Sequence, residues 1–155
     1  MIGRPAAPII DRRIRIGVVG CGRISRNHFR AIEEYPEDLE LVGACDVDPG
    51  RQNQDFIPPA APRYDRLEDL IAHGEPDLVA ICTPSGMHPR QTIETAGAGV
   101  HVMTEKPMAT RWRDGLRMVE ACDEAGVRLF VVKQNRFNAT LQLLRRAIQE
   151  RRFGR

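Results

Sequence analysis

The sequence predicts an α/β fold in which helices cover both faces of a doubly wound parallel sheet. Short β-branched apolar runs alternate along the 155 residues with segments whose apolar residues recur at helical spacing. The run Asp77–Cys82 is almost continuously apolar, as is typical of a strand that is buried on both faces. Strands and helices that alternate at such short spacing favour right-handed crossovers within one domain.

The first third of the chain predicts a strand, a helix and a second strand. Residues Ile14–Val19 are largely β-branched and apolar, and glycines interrupt the run directly afterwards. From Ile24 to Tyr35 apolar residues recur at helical spacing, and the proline that follows ends the pattern. The second apolar run, Leu39–Cys45, predicts the next strand.

The middle of the chain predicts less regular structure. A short polar helix is expected to begin at Pro49, and the proline cluster within residues 58–62 predicts an irregular link. The spacing of Leu67, Leu70 and Ile71 indicates another short helix.

The remaining chain alternates strands with helices more clearly. In order, the predicted elements are Asp77–Cys82, about His88–Ala98, Val100–Met103, about Thr110–Ala125 and Arg128–Val132. Gly126 directly follows the fourth of these, which suits the left-handed residue that ends many helices. A last helix is expected with Leu141, Leu144 and Ile148 on one face.

Composition and charge exclude several classes of protein. With 42% hydrophobic and 28% charged residues, the chain is large enough for one globular domain with a buried core. The net charge of +2 comes from interspersed acidic and basic residues, which does not favour nucleic acid as a partner. No run reaches the roughly 18 apolar residues of a membrane span, and a cytoplasmic protein is expected. No metal site is predicted, because the four cysteines are dispersed; they are expected to be reduced and mostly buried.

A glycine-rich turn lies between the first predicted strand and the first predicted helix. Residues 20–25 read Gly-Cys-Gly-Arg-Ile-Ser, close to the G-x-G-x-x-G pattern of dinucleotide-binding turns. Gly20 permits the tight turn, and Gly22 lets the backbone approach a pyrophosphate. The free N–H groups of Arg23 and Ile24 at the helix start can bind the pyrophosphate oxygens, and Cys21 within the turn is also expected to contact the cofactor. Serine replaces the third glycine; the alternative is a glycine-rich turn without a ligand.

Asp46 ends the second predicted strand, about twenty residues after the glycine turn. A carboxylate at this position accepts hydrogen bonds from both hydroxyls of the adenosine ribose, which predicts NAD as the cofactor. The 2′-phosphate of NADP would meet its negative charge, although Arg51 lies close enough in sequence to permit dual use. The alternative for Asp46 is an ordinary polar turn after a strand.

Another polar segment follows the buried strand that ends at Cys82. It lies at the carboxyl edge, where ligands enter such sheets, so Thr83, Pro84 and Ser85 are expected to line the cofactor cleft. His88 either reaches the nicotinamide side or packs at the helix start.

Glu105-Lys106-Pro107 follows the next strand at the same edge. Lys106 can donate a proton or a hydrogen bond to a substrate oxygen, and Glu105 is expected to affect its charge and orientation. A cis Lys106–Pro107 peptide is expected to point the lysine into the cleft. Taken alone, the triplet also fits an ordinary surface ion pair.

A third polar cluster ends the last predicted strand. The amides of Gln134 and Asn135 can hold the nicotinamide carboxamide, whereas Arg136 can face an anionic group of the substrate.

The order of these clusters resembles the Gfo/Idh/MocA oxidoreductase family over almost the whole chain. The resemblance is carried by Gly20-Cys21-Gly22-Arg23-Ile24-Ser25, Asp46, Cys82-Thr83-Pro84 and Glu105-Lys106-Pro107. It implies that Lys106 is the active-site lysine beside the nicotinamide, with a second acid or base in a separate substrate domain.

Within that family, residues 133–138 and the helix after them resemble the UDP-N-acetyl-glucosaminuronate 3-dehydrogenases of lipopolysaccharide O-antigen synthesis. This resemblance implies oxidation of the sugar C3 hydroxyl to a ketone, a UDP-sugar substrate, a homo-oligomer and an aminotransferase that acts on the product. Recycling of the bound cofactor by 2-oxoglutarate is left open.

The predicted domain organisation has three parts. Residues 1–12 form an N-terminal tail, residues 13–137 an NAD-binding Rossmann domain, and residues 138–155 a helix linking to an absent α+β substrate domain. The ending Phe153-Gly154-Arg155 resembles a connection into another strand, so a truncated chain is expected. Two other functions stay open, namely a dehydrogenase of another sugar or a cyclitol, and a non-catalytic NAD-binding sensor.

Overall fold

The computed structural model describes residues 7–154. The strands are β1 Ile14–Val19, β2 Leu39–Cys45, β3 Arg63–Tyr64, β4 Leu78–Ile81, β5 His101–Thr104 and β6 Leu129–Val131. The helices are α1 Ser25–Glu34, α2 Pro49–Gln52, α3 Leu67–Gly74, α4 His88–Gly97, α5 Trp112–Glu124 and α6 Ala139–Gln149, with a 3₁₀ turn at Gln134–Phe137.

All strand pairs are parallel, in the order β3-β2-β1-β4-β5-β6. The chain moves outward from β1 to β3 and then returns to the other side of β1 for β4. The connections that leave β1 and β4 therefore diverge above the carboxyl edge, which is where ligands bind in such sheets. This arrangement confirms the predicted doubly wound Rossmann-type sheet.

The core has two layers because side chains on each strand alternate between the faces of the sheet. In β4, Val79 and Ile81 pack on the side of α3, α4 and α5, whereas Leu78 and Ala80 face the side of α1. All four β4 residues are buried, which accounts for the nearly continuous apolar run in the sequence. Phe29, the largest fully buried side chain among residues 7–154, anchors α1 to its side of the sheet.

Two short elements differ from the predictions. Arg63–Tyr64 pairs with the end of β2 as a strand, in the segment where an irregular link was expected. Two residues cannot display a periodic pattern, so only their pairing with β2 defines the strand. The segment Gln134–Phe137 forms a 3₁₀ turn that has no marker in the sequence.

The end of α5 agrees with the sequence. Gly126 has a φ of 68°, and the N–H of Val127 donates to the carbonyl of Cys122 at 3.0 Å. These are the features of a glycine-terminated helix.

The two ends of the chain bear on the predicted domain division. Arg12 forms two hydrogen bonds to Asp77, at 2.6 and 2.8 Å, which fastens part of the predicted tail to the start of β4. In α6, Leu141, Leu144 and Ile148 lie exposed. Residues 1–6 and Arg155, which belong to the predicted tail and linking segment, lie outside the described residues. Among residues 7–154, no helix combines the length and apolar character needed to cross a membrane.

Candidate functional site

The glycine turn after β1 is packed against the segment that follows β4. Gly20 has a φ of +87°, and a Cβ at this position would lie 2.7 Å from the backbone nitrogen of Thr83. Both the backbone conformation and the lack of space therefore require glycine. This close approach brings the ends of β1 and β4 together at the switch point of the sheet.

The start of α1 leaves backbone donors available. The N–H groups of Arg23 and Ile24 form no hydrogen bond within residues 7–154. Ser25 is fully buried, and its hydroxyl donates to the carbonyl of Gly22 at 2.7 Å, so a serine is accommodated where the pattern has its third glycine. Free N–H groups at the positive end of a ten-residue helix fit an anionic group such as a pyrophosphate.

Asp46 is held beside this turn by two backbone donors. Its carboxylate accepts hydrogen bonds from the N–H of Cys21 at 2.8 Å and from the N–H of Asp48 at 3.0 Å. The amide of Gln52 donates to the Asp46 carbonyl at 2.6 Å, which ties α2 to the end of β2. The half-buried carboxylate thus has a defined orientation and unused acceptor capacity.

Asp46 and the glycine turn line a cleft of about 650 Å³. Other lining residues come from the ends of β2 and β4 and from α3 and α4, and include Arg51, Leu67, Glu68, Thr83, Pro84, Met87, Arg90 and Glu94. Burial, followed by the charge of Glu68, raises the pKa of Glu94 above the ordinary glutamate value. A second depression of about 390 Å³, next to the turn, is lined by Cys21, Gly22, Arg23, Arg26, Arg51, Gln54 and Phe56.

The segment after β4 contributes less to the cleft than expected from the sequence. Thr83 lines the cleft, but its hydroxyl donates to the side-chain oxygen of Gln91 at 2.5 Å. Pro84 also lines the cleft, whereas Ser85 is not among the lining residues.

His88 takes the second of its two predicted roles. Its side chain is buried, with Nε2 at 2.8 Å from the carbonyl of Thr83 and Nδ1 at 3.0 Å from the carbonyl of Pro107. Both ring nitrogens face backbone carbonyls, so neither is free to bond a ligand in this arrangement. His88 instead joins the segment after β4 to the segment after β5.

The segment after β5 places Lys106 at the surface and Glu105 inside. The Lys106–Pro107 peptide is cis, as expected from the sequence. From the sequence we also expect Glu105 to orient the lysine and to contact the cofactor; in the structure its carboxylate contacts the backbone of Lys106 rather than the side-chain nitrogen. Glu105 is buried, and its carboxylate contacts the Lys106 backbone N–H at 3.2 Å and Nε2 of His28 at 3.0 Å.

Lys106 lines a separate cavity of about 720 Å³. The other lining residues are Lys133, Gln134, Asn135, Arg136, Leu141, Gln142 and Arg145, from the 3₁₀ turn, its flanks and α6. Four cationic side chains and, among the described residues, no carboxylate line the cavity. Such a cavity favours an anionic ligand.

The cysteines supply no nucleophile to these cavities. All four are free and buried. Burial, with a further contribution from the charge of Asp46, raises the pKa of Cys21 to about 12. Burial also raises the pKa of Cys45 to about 12, so both thiols remain protonated near neutral pH.

The predicted residues therefore divide into two cavities and a set of supporting contacts. Gly20, Gly22, Asp46, Thr83 and Pro84 meet in the cleft, and Lys106, Gln134 and Asn135 in the basic cavity. Ser85, His88 and Glu105 lie outside the lining of both cavities.

Sequence reasoning missed His28, Lys133 and Arg145. Lys133 had a usable signal, because it and Lys106 are the two lysines among 23 basic residues. No signal in the sequence marks Arg145 or His28 as a site residue, since each lies on a helix whose orientation is set by packing.

Comparison with known proteins agrees with this geometry. Residues 14–133 match the GFO_IDH_MocA model, described as an oxidoreductase family with an NAD-binding Rossmann fold. The chain belongs to this family. The matched range contains the glycine turn, Asp46 and Lys106, and it ends at Lys133.

Similarity within the Gfo/Idh/MocA family extends to solved structures. The chain is 57% identical to the WlbA dehydrogenase of Bordetella pertussis, with a TM-score of 0.88, over 96% of this chain and 43% of that one. It is 55% identical to the WlbA dehydrogenase of Chromobacterium violaceum, with a TM-score of 0.90, over 100% of this chain and 44% of that one. Both structures are complexes with NADH and UDP-GlcNAcA.

Curated relatives in the family act on other substrates. The D-apiose dehydrogenase of Paraburkholderia graminis is 32% identical over 92% of this chain and 38% of its own length. The myo-inositol 2-dehydrogenase of Thermotoga maritima is 30% identical over 92% of this chain and 42% of its length. The chain thus spans about two fifths of the length of these relatives.

The described residues fit the cofactor named in the family description. The glycine turn leaves no room for a Cβ at Gly20, and two backbone N–H groups at the start of α1 are free. Asp46 offers a carboxylate at the end of the adjacent strand. This combination suits a pyrophosphate next to a ribose.

Proposed function

We propose that this chain is the NAD-binding domain of a longer dehydrogenase that oxidises the C3 hydroxyl of UDP-N-acetyl-glucosaminuronic acid to a ketone. The observation that carries the proposal is Lys106, which lines a cavity with three other cations at the same sheet edge as the glycine turn. The high identity to two dehydrogenases in complex with NADH and UDP-GlcNAcA supports the choice of substrate.

The cofactor is held by the β1 turn and by Asp46. The N–H groups of Arg23 and Ile24 bind pyrophosphate oxygens, while Asp46 accepts hydrogen bonds from the ribose hydroxyls. The negative charge of Asp46 disfavours a 2′-phosphate, so NAD is preferred to NADP. Gln134 and Asn135, on the wall shared with Lys106, hold the nicotinamide carboxamide.

Lys106 handles the proton of the reacting hydroxyl. NAD, when bound, accepts the hydride that leaves the sugar carbon. The lysine nitrogen, as the amine, takes the hydroxyl proton and so balances the oxidation of alcohol to ketone. A second acid or base then belongs to the part of the enzyme that also holds the sugar.

The charge of the basic cavity matches this substrate class. A UDP-linked uronic acid carries a diphosphate and a carboxylate. Lys133, Arg136 and Arg145 supply cations around Lys106, and arginine can bind carboxylate or phosphate through two parallel hydrogen bonds. These three residues orient the anionic groups while Lys106 faces the reacting oxygen.

The wider setting of the enzyme is also part of the proposal. Residues 13–137 form the cofactor domain, and residues 138–155 lead through α6 into a substrate domain. The exposed apolar residues of α6 support this division, since large apolar side chains are normally covered. The complete enzyme is a cytoplasmic homo-oligomer in lipopolysaccharide synthesis, and an aminotransferase consumes its keto product.

Single-turnover hydride transfer in the longer protein tests the role of Lys106. At saturating UDP-GlcNAcA, Lys106→Met is expected to slow NADH formation by about 10²–10⁴-fold while NAD affinity stays nearly unchanged. Lys106→Arg should rescue little, because arginine retains its proton near neutral pH. Lys133→Met is the matched control, and it should weaken substrate binding more than it slows the hydride step.

Three results would count against the proposal. Wild-type rates in Lys106→Met would make Lys106 an ordinary surface lysine. A wild-type rate of hydride transfer in Lys106→Arg would show that Lys106 acts only through its positive charge. Faster turnover of UDP-GlcNAc or myo-inositol than of UDP-GlcNAcA would assign the basic cavity to another substrate.

A further inference from the structure

His28 makes a polar contact with Glu105 that has no role in the function proposed above. It lies on α1, three residues after the start of the helix, and its Nε2 is 3.0 Å from Oε1 of Glu105. The two side chains are only 15% and 8% exposed. The contact joins residues 77 apart in sequence, so folding alone brings them together.

Glu105 is bound on several sides. Its backbone N–H donates to the carbonyl of Ile81 at 3.0 Å, and its own carbonyl accepts from the Thr104 hydroxyl at 3.2 Å. One carboxylate oxygen faces His28, and the other accepts from the Lys106 N–H at 3.2 Å. The carboxylate is therefore a bridge between α1 and the backbone of Lys106.

The same helix also carries the nucleotide-binding turn. Ser25, one turn before His28, fastens the start of α1 to the carbonyl of Gly22 at 2.7 Å. The contacts from Ser25 to Lys106 therefore link the residues proposed to hold the pyrophosphate to the residue proposed to handle the proton. The apolar residues Phe29 and Ile32 already anchor α1 to the sheet, so His28 is not required for packing alone.

We propose that His28 is a positioning residue for Lys106. It donates from Nε2–H to Glu105, either as the neutral tautomer that carries this proton or as the imidazolium, and so fixes the carboxylate that binds the Lys106 backbone. The fixed backbone in turn sets the direction in which the Lys106 side chain extends from the sheet edge relative to the glycine turn. The functional part of this inference rests on the role proposed above for Lys106, whereas the structural part does not.

Loss of the histidine leaves a buried carboxylate without its partner. Such a group is costly and rearranges to find another partner, which disturbs the hydrogen bond to the Lys106 N–H. Glutamine can place a side-chain N–H near the position of the histidine Nε2. The conservative variant His28→Gln should therefore restore what His28→Leu removes.

The small number of lysines makes the test direct. A chain labelled with ¹⁵N-lysine gives backbone amide signals from Lys106 and Lys133 only, because the sequence has no other lysine. In His28→Leu the Lys106 signal should move, and its exchange with solvent should rise by about tenfold, as expected for a lost hydrogen bond. The Lys133 signal should stay in place, and His28→Gln should resemble wild type. The exposed His73, replaced by leucine, is the matched control and should leave both signals unchanged.

The outcomes separate this inference from the proposed function. An unmoved Lys106 signal in His28→Leu overturns the positioning role. Movement of both lysine signals, with a lower melting temperature and no rescue by glutamine, reduces His28 to a packing residue and also overturns it. Neither readout requires a nucleotide, so failure of the wild-type chain to bind NADH would count against the proposed function alone. In the longer protein, His28→Leu should lower kcat with little change in the KM for NAD.

Discussion

Cofactor choice is expected to depend on the charge of Asp46, and two substitutions separate this charge from its structural role. Asp46→Asn keeps an oxygen that can accept the N–H of Cys21, which lies 2.8 Å from the native carboxylate, but removes the negative charge. Asp46→Ala removes both. The wild-type chain should bind NADH more tightly than NADPH, and the asparagine variant should narrow that ratio without losing the turn.

The expected magnitude follows from the hydrogen bonds that Asp46 is proposed to accept from the ribose hydroxyls. Hydrogen bonds that involve a charged group contribute roughly 1–3 kcal/mol, so Asp46→Ala should weaken NADH binding by about 5- to 150-fold. The alanine variant also leaves the N–H of the buried Cys21 without its acceptor. Part of the loss should therefore appear as lower stability of the free chain, whereas Asp46→Asn should retain most of the stability.

Calorimetric titration of the chain with NADH and with NADPH measures both effects, and thermal unfolding without nucleotide measures the stability change. Equal or reversed affinities in the wild type would refute the assignment of Asp46 to the ribose. An unchanged ratio of NADH to NADPH affinity in Asp46→Asn would show that the charge of Asp46 does not discriminate between the two cofactors. Arg51, which lines the same cleft, would then be the next residue to test.

The chain by itself should bind NADH but form none from NAD and UDP-GlcNAcA, because the second acid or base is proposed to lie elsewhere. NADH fluorescence that appears during this incubation would contradict that proposed location. Gly20→Ala should lower NADH affinity and cost about 1–3 kcal/mol of stability, since the new Cβ meets the Thr83 nitrogen at 2.7 Å and φ is positive. Gly86→Ala, with no atom within 4 Å of the new Cβ, is its control and should melt like wild type. The Arg12 guanidinium, by hydrogen bond and charge, lowers the pKa of Asp77 in the folded chain. The pair therefore stabilises the fold fully at pH values above the unfolded-state pKa of about 3.9. This contribution is lost as the pH falls through the lower pKa of the folded state. Acid unfolding should lose that part of its pH dependence in Asp77→Asn, and an unchanged profile would contradict the pairing.

The regular elements could be predicted from the sequence because their signals are local. Ile14–Val19 and Leu39–Cys45 were predicted with the bounds that the structure has, since apolar runs and the residues that interrupt them lie within each segment. Gly126 was likewise predicted as a left-handed helix end. The strand Arg63–Tyr64 could not be predicted, because only its pairing with β2 defines it as a strand.

The candidate site was predictable to the level of the sheet edge. Residues that follow parallel strands must meet at one edge, so the sequence alone groups Gly20, Asp46, Thr83 and Lys106. The direction of each side chain could not be predicted. His88 and Glu105 occupy the expected segments but point inward, because buried backbone and side-chain partners satisfy their polar atoms there.

The sequence by itself determined the order of the strands and helices other than β3, the glycine that the β1 turn requires and the carboxylate at the end of β2. These features depend on neighbouring residues and on backbone geometry. Only the tertiary structure brought His28 to Glu105 and placed Lys133 and Arg145 around Lys106. Contacts between distant segments depend on how each helix is rotated against the sheet, and that rotation results from packing of the whole core rather than from any local pattern.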